Sequence, residues 1–173
     1  MPRWTSRNRL AAVLVTVAVA SMVAAHVGRT DDWRRYDHRS FTVAAIVGGD
    51  AIQLDDGTRV RLLGLADPTP AAAGWLADHV LGREVTLLLP PVGARDGDGR
   101  LVAYAYDADG ACVNVELVGA GLAYADRRTV DPLAGLIDPA ESEARRKGRG
   151  VWHGLRIEQM PPWRQAWLRA REH

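Results

Sequence analysis

A chain of 173 residues, 47% hydrophobic and 25% charged, suits one folded domain with a short extension. Its net charge is +1, and Arg3, Arg7 and Arg9 lie in the first 25 residues with no acid beside them, so the remainder carries −2. That balance excludes a protein that grips phosphate backbones by global charge alone and leaves room only for a local basic patch. A single cysteine, Cys112, excludes an intrachain disulfide and a thiolate metal site, and reads as a small buried apolar side chain.

In chain order, residues 1–26 come first as a targeting or anchoring segment. Three arginines precede an apolar run from Leu10 to Ala20, and Ala18-Val19-Ala20 offers a small-x-small cleavage site. Uncut, the run stays apolar to about Val27, near the lower limit of about 17 residues for spanning a bilayer. The continued apolar run favours a retained anchor. Either reading predicts an exported domain, membrane-anchored, periplasmic or secreted, because the arginines stay on the cytoplasmic side. Residues 27–40 are charged and aperiodic, and are expected to be a linker.

The domain is expected over residues 41–152. Phe41–Val47 reads as a strand, continued by Ala51–Leu54 across a bend or bulge at Gly48-Gly49. Asp55–Thr58 is a hairpin turn, and Arg59–Leu65 is the return strand. Thr69 and Pro70 read as N-cap and first residue of a helix with Trp75, Leu76, His79, Val80 and Leu81 on its buried side. Glu84–Leu89 is a continuous apolar strand, expected to be buried on both sides, and Leu101–Tyr106 is another strand. Asn114 is expected to cap a short helix over Val115–Ala120. Asp138-Pro139-Ala140-Glu141 resembles a capping box opening a helix through Lys147. Five strands with a helix between the third and fourth predict an α+β fold, a five-stranded Greek-key barrel of the oligonucleotide/oligosaccharide-binding (OB) kind. Residues 153–173 are a tail with a helix from Pro161-Pro162, carrying Trp163 and Trp167 on one face. Docking on the barrel is the preferred reading for it, and a membrane surface or protein partner the alternative.

Two blocks carry the chemistry. One is Gly49-Asp50-Ala51 leading into Val60-Arg61-Leu62-Leu63-Gly64-Leu65, and the other is Asp98-Gly99-Arg100-Leu101-Val102-Ala103-Tyr104. Together they resemble the thermonuclease, or staphylococcal-nuclease-like, family over about residues 41–152. The resemblance implies the OB fold and a calcium-dependent phosphodiesterase site. It also implies that Asp50 is the first metal ligand and that Arg61 and Arg100 are catalytic, binding the phosphate. Where the family has its second metal aspartate this chain has Ala66, and where it has a glutamate near the attacking water the chain has Thr69. Asp67 sits one place along, but a one-residue shift in extended chain turns a side chain to the opposite face.

One carboxylate is a poor calcium site, since calcium takes six to eight oxygens. Asp67, Asp96 and Asp98 are the candidates to supplement Asp50, with solvated-turn roles as the plainer alternative. The favoured expectation is a catalytically impaired nuclease homologue whose Arg61 and Arg100 bind an anion, a nucleotide or single-stranded nucleic acid. A working phosphodiesterase using calcium and rearranged carboxylates is the first alternative. A non-catalytic module holding a cell-envelope protein partner is the second.

Overall fold

The computed structural model describes residues 32–128, 132 and 134–170. The expected targeting segment, residues 1–26, lies outside them. Among the described residues no helix is long and apolar enough to cross a membrane. A single 3₁₀ turn, Asp32–Arg35, belongs to the N-terminal unit of the chain, and a second unit runs from Tyr36 onward. Residues 36–40, read as linker, therefore belong to the barrel unit. Tyr36 is 1% exposed, and its hydroxyl bonds Asp56 at 2.9 Å and Thr58 at 2.7 Å.

The first strand, β1 (Arg39–Gly48), is long enough to serve two neighbours. Its first residues pair with β5 (Glu84–Leu88), and its later ones pair with β2 (Ala51–Leu54). Register shifts at Val43/Ala45 and Ile46/Gly48 bend it between the two partners. The bend therefore lies inside β1. Gly48 and Ala51 pair across a tight hairpin turn at Gly49-Asp50, so β2 folds back on β1 and does not continue it. The strand β3 (Arg59–Leu62) pairs with β2 and, in parallel, with β6 (Leu101–Tyr106). Pairing of β6 with β5 closes the barrel in the order β1-β2-β3-β6-β5, the expected five-stranded α+β barrel. A separate ribbon joins β4 (Leu65–Ala66) to β7 (Tyr124–Ala125).

Helix α1 (Pro70–Val80) begins at the expected Thr69-Pro70, but its buried face is Ala72, Leu76 and Val80. His79 is exposed and stacks on Trp75 with ring centroids 3.8 Å apart. The strand β5 alternates buried and accessible residues, as a barrel wall does, so it is not covered on both sides. Helix α2 spans Val113–Gly119, with Cys112 as N-cap. Asn114 is not a cap: it is fully buried, receives the Ala105 N–H, and donates to the Leu63 and Ala103 carbonyls, tying α2 to the barrel. Burial raises the Cys112 thiol above its ordinary value, as suits a packed side chain.

Helix α3 (Ala134–Arg146) runs straight through Pro139, so Asp138–Glu141 is mid-helix and caps nothing. Helix α4 (Pro162–Arg169) docks on the fold. Trp163 and Leu168 pack against a buried cluster of Ala66, Tyr124, Ala144, Trp152 and Met160.

Candidate functional site

The mouth of the barrel is set by the β1–β2 turn. Leu62 on β3 donates its N–H to the Asp50 carbonyl at 2.8 Å, which brings the turn against β3. Ala51 pairs with Arg61, so the Asp50 carboxylate meets the Arg61 guanidinium. The contact is long, Nε to Oδ2 at 3.5 Å, with both side chains about a quarter accessible. Among the described residues Arg61 makes no other side-chain hydrogen bond, and its terminal nitrogens stay available. A pair this exposed is worth ~0–1 kcal/mol.

Arg100 is held more firmly. Its Nε donates to Asp96 Oδ2 at 2.8 Å, and one terminal nitrogen donates to Asp98 Oδ2 at 2.9 Å. Asp96 Oδ1 accepts the backbone N–H groups of Asp98 and Arg100, both at 3.0 Å, which shapes the loop before β6. Gly99 supplies the positive φ of 78° that the turn requires. The Arg100 proton is held above its ordinary range, chiefly by the Asp96 hydrogen bond, against some opposing burial, with the charges of Asp96, Asp98 and Asp50 adding to it. Asp50 thus pairs with Arg61 and reaches Arg100 only through the smallest of the charge effects on it. Asp96 and Asp98 are not spare metal ligands, because both carboxylates face Arg100.

The positions that break the family pattern are committed elsewhere. Ala66 is 2% exposed, pairs with Tyr124 across the β4–β7 ribbon and packs with Trp152 and Met160. Asp67 adopts φ +45°, and its Oδ2 accepts the Trp163 indole N–H at 2.6 Å. It therefore faces the C-terminal helix and corrects the expectation that it joins Asp50 on a metal. Thr69 is at the N-cap position but makes no side-chain cap, and its Oγ1 is buried without a partner among the described residues. Pro68 and Ala72 press on the turn: a Cβ at Gly49 would sit 2.7 Å from Pro68 Cβ and 3.1 Å from Ala72 Cβ. Calcium held by carboxylates does not fit this donor set. Among the described residues no three acidic, histidine or cysteine side chains converge.

One residue at the mouth escaped the sequence reading. Asp126 follows β7, its N–H donates to the Gly64 carbonyl at 2.9 Å, and it lines the same cleft as Arg61. Burial works to raise its carboxyl. That is outweighed by hydrogen bonds from the Arg128 side chain and backbone and by the charges of Arg128 and Arg61, so the net shift is downward. Arg128 grips it with Nε and a terminal nitrogen at 2.9 Å each. The only sequence signal was an acidic residue beside two arginines directly after a short strand.

Two clefts open at this end. One, of about 400 Å³, has Arg61 and Asp126 beside Leu63, Pro90, Val92 and Val102. The other, also about 400 Å³, is walled by Thr58, Arg59, Arg95, Asp98 and Arg100. Arg95 lines both.

The sequence of the region agrees with this architecture. The family described as staphylococcal nuclease homologue matches residues 66–154, which takes in Arg100 and Asp126. The chain is 30% identical over 131 residues to an uncharacterized endonuclease of Escherichia coli O157:H7, covering 70% of this chain and 80% of that protein. An uncharacterized endonuclease of Escherichia coli matches to the same extent. Barrel and sequence likeness agree: the chain belongs to the staphylococcal nuclease homologue family.

Proposed function

We propose that this protein is a nuclease homologue that binds single-stranded nucleic acid or nucleotide at the barrel mouth, with its metal-dependent hydrolytic centre impaired. The observation that carries the reading is a contrast at one site. Arg61 is paired with Asp50 and Arg100 is held by Asp96 and Asp98 within range of the Asp50 charge, whereas Ala66 is packed into the fold and Asp67 is turned to Trp163. Arginines at the phosphate position stabilise charge on phosphoryl oxygens and bind phosphate in the ground state as well. Hydrolysis also needs a cation and an oriented water; of the carboxylates for these, Asp50 is kept, and the second metal aspartate and the glutamate are replaced by Ala66 and Thr69. The endonuclease naming of the E. coli relatives supports nucleic acid as the ligand class.

The test is binding and cleavage of single-stranded DNA by the full-length protein, in calcium, magnesium and manganese in turn. Binding that weakens with salt and falls at least tenfold in the Arg61→Ala, Arg100→Ala double variant is expected. No cleavage above the Asp50→Ala background is expected with any of the three ions. Calcium-dependent cleavage that vanishes in Asp50→Ala would overturn the impaired-site reading. Export and membrane tethering by residues 1–26 belong to the same proposal. Cell fractionation with N-terminal sequencing of the mature protein tests them, and a cytoplasmic protein starting at Met1 would refute export.

A further inference from the structure

The two clefts at the barrel mouth differ in character. The Arg61 cleft is lined by Leu63, Pro90, Val92 and Val102 beside Arg61 and Arg95, and its two carboxylates, Asp96 and Asp126, are held by Arg100 and Arg128. Its walls are largely apolar. The neighbouring cleft has three arginines, Arg59, Arg95 and Arg100, against one carboxylate, Asp98. Asp96 and Asp98 hold Arg100, so the open positive charge of this cleft comes from Arg59, on the same strand as Arg61. Along β3, Arg59 and Arg61 alternate with the fully buried Val60 and Leu62, so both project from the outer face. Two residues of strand separate them by about 6.6 Å, on the order of one extended nucleotide step. Arg59 is exposed, and among the described residues its side chain has no hydrogen-bond or ion-pair partner.

We infer that the cleft of Arg59, Arg95 and Arg100 is a second phosphate subsite, continuous with the Arg61 cleft through Arg95. Together they hold a single-stranded oligonucleotide over at least two nucleotides. The apolar cleft takes a base or sugar, and the basic cleft takes the next phosphate. Single-strand binders combine these two elements, a charged groove for the backbone and apolar contact for the bases. This rests on the nucleic-acid reading above and adds to it a length requirement and two residues, Arg59 and Arg95, that neither the family pattern nor the metal chemistry involves.

The experiment measures equilibrium binding of the full-length protein to thymidine monophosphate, a thymidylate dimer and a thymidylate hexamer, each across a salt series. A linear hexaphosphate without bases is run beside them. The hexamer is expected to bind at least tenfold tighter than the monophosphate. Arg59→Ala should weaken the hexamer about tenfold, the loss of one charge-assisted hydrogen bond, and flatten its salt slope by about 0.7. The same variant should weaken the monophosphate by a smaller factor than the hexamer, and Arg59→Lys should restore the slope. Because Arg59 is exposed, its replacement leaves the fold intact, which circular dichroism verifies. Length-independent binding, or hexamer affinity and slope untouched by Arg59→Ala, overturns the second subsite while the Arg61 site survives. Hexaphosphate binding as tight as the hexamer overturns the base cleft. Absence of binding by every probe overturns this inference and the nucleic-acid reading together.

Discussion

At the mouth of the barrel an arginine meets an aspartate across 3.5 Å, and water reaches both side chains. Behind β7 the same chemistry is used in the opposite way. Glu141 Oε2 accepts from Arg127 at 2.9 Å and Arg164 at 2.6 Å, and its Oε1 accepts the Ala125 N–H at 2.8 Å. Arg164 is 2% exposed and lies over Trp167 at 4.5 Å, with Trp152 and Trp163 near it, while Asp138 also pairs with Arg127. The contrast teaches what an ion pair is for. In the interior a charge needs every partner it can reach, and removing one strands the others. Pairing is incomplete in both places, but the unused nitrogens of Arg164 are buried among tryptophans, whereas those at the mouth are open to a ligand. Arg128 stands between the two regions: it grips Asp126 at the cleft and lies over Trp163 of α4 at 4.9 Å.

The comparison breaks first at Glu141. Replacing it with alanine leaves the buried Arg164 without its carboxylate and Arg127 with Asp138 alone, and is expected to cost about 3–5 kcal/mol, read as a lower denaturation midpoint. A loss below 1 kcal/mol would mean the interior network is no more demanding than the mouth. Next comes Gly49→Ala, where the added methyl meets Pro68 and Ala72. Overpacking of this kind costs about 1–3 kcal/mol. Trp163→Phe keeps the ring and removes the N–H to Asp67, and about 1 kcal/mol is expected from thermal melts. Asp50→Ala should change stability by less than about 1 kcal/mol while altering anion affinity, the reverse of Glu141→Ala.

The pH dependence sharpens the same contrast at Asp126. Its folded-state carboxyl lies below the unfolded value of about 3.9. The stability it contributes is therefore present above that value and lost as pH falls through the lower folded one. The stability gap between wild type and Asp126→Asn should close over that acid range in denaturant titrations. A gap that stays constant down to the acid limit would show that Asp126 contributes no linkage.

Much of the barrel was legible because alternation and turn chemistry are local. Asp55–Thr58 with Gly57, the β6 run and the Thr69-Pro70 helix start all rest on neighbours in sequence. The errors arose where a local pattern had a tertiary use. Asp138-Pro139-Ala140-Glu141 matches a capping box, yet Glu141 is drawn inward by arginines 14 and 23 residues away. Asn114 resembles a cap, yet its amide satisfies backbone groups of β6 and of Leu63. At the site, Asp50, Arg61 and Arg100 were found by their motif blocks. Asp126 belongs to no block and reaches the cleft only through the β4–β7 ribbon.

What the sequence determined by itself was the five barrel strands, the family pattern and the loss of two acidic positions at Ala66 and Thr69. Those follow from residue identity and short-range spacing. Only the tertiary structure decided that Asp67 points to Trp163, that Asp96 and Asp98 serve Arg100, and that Arg59 and Arg95 border a second cleft. A carboxylate's role depends on which charge or donor it meets first. That meeting is set by strand pairing and helix docking between residues far apart in the chain, where local spacing carries no signal.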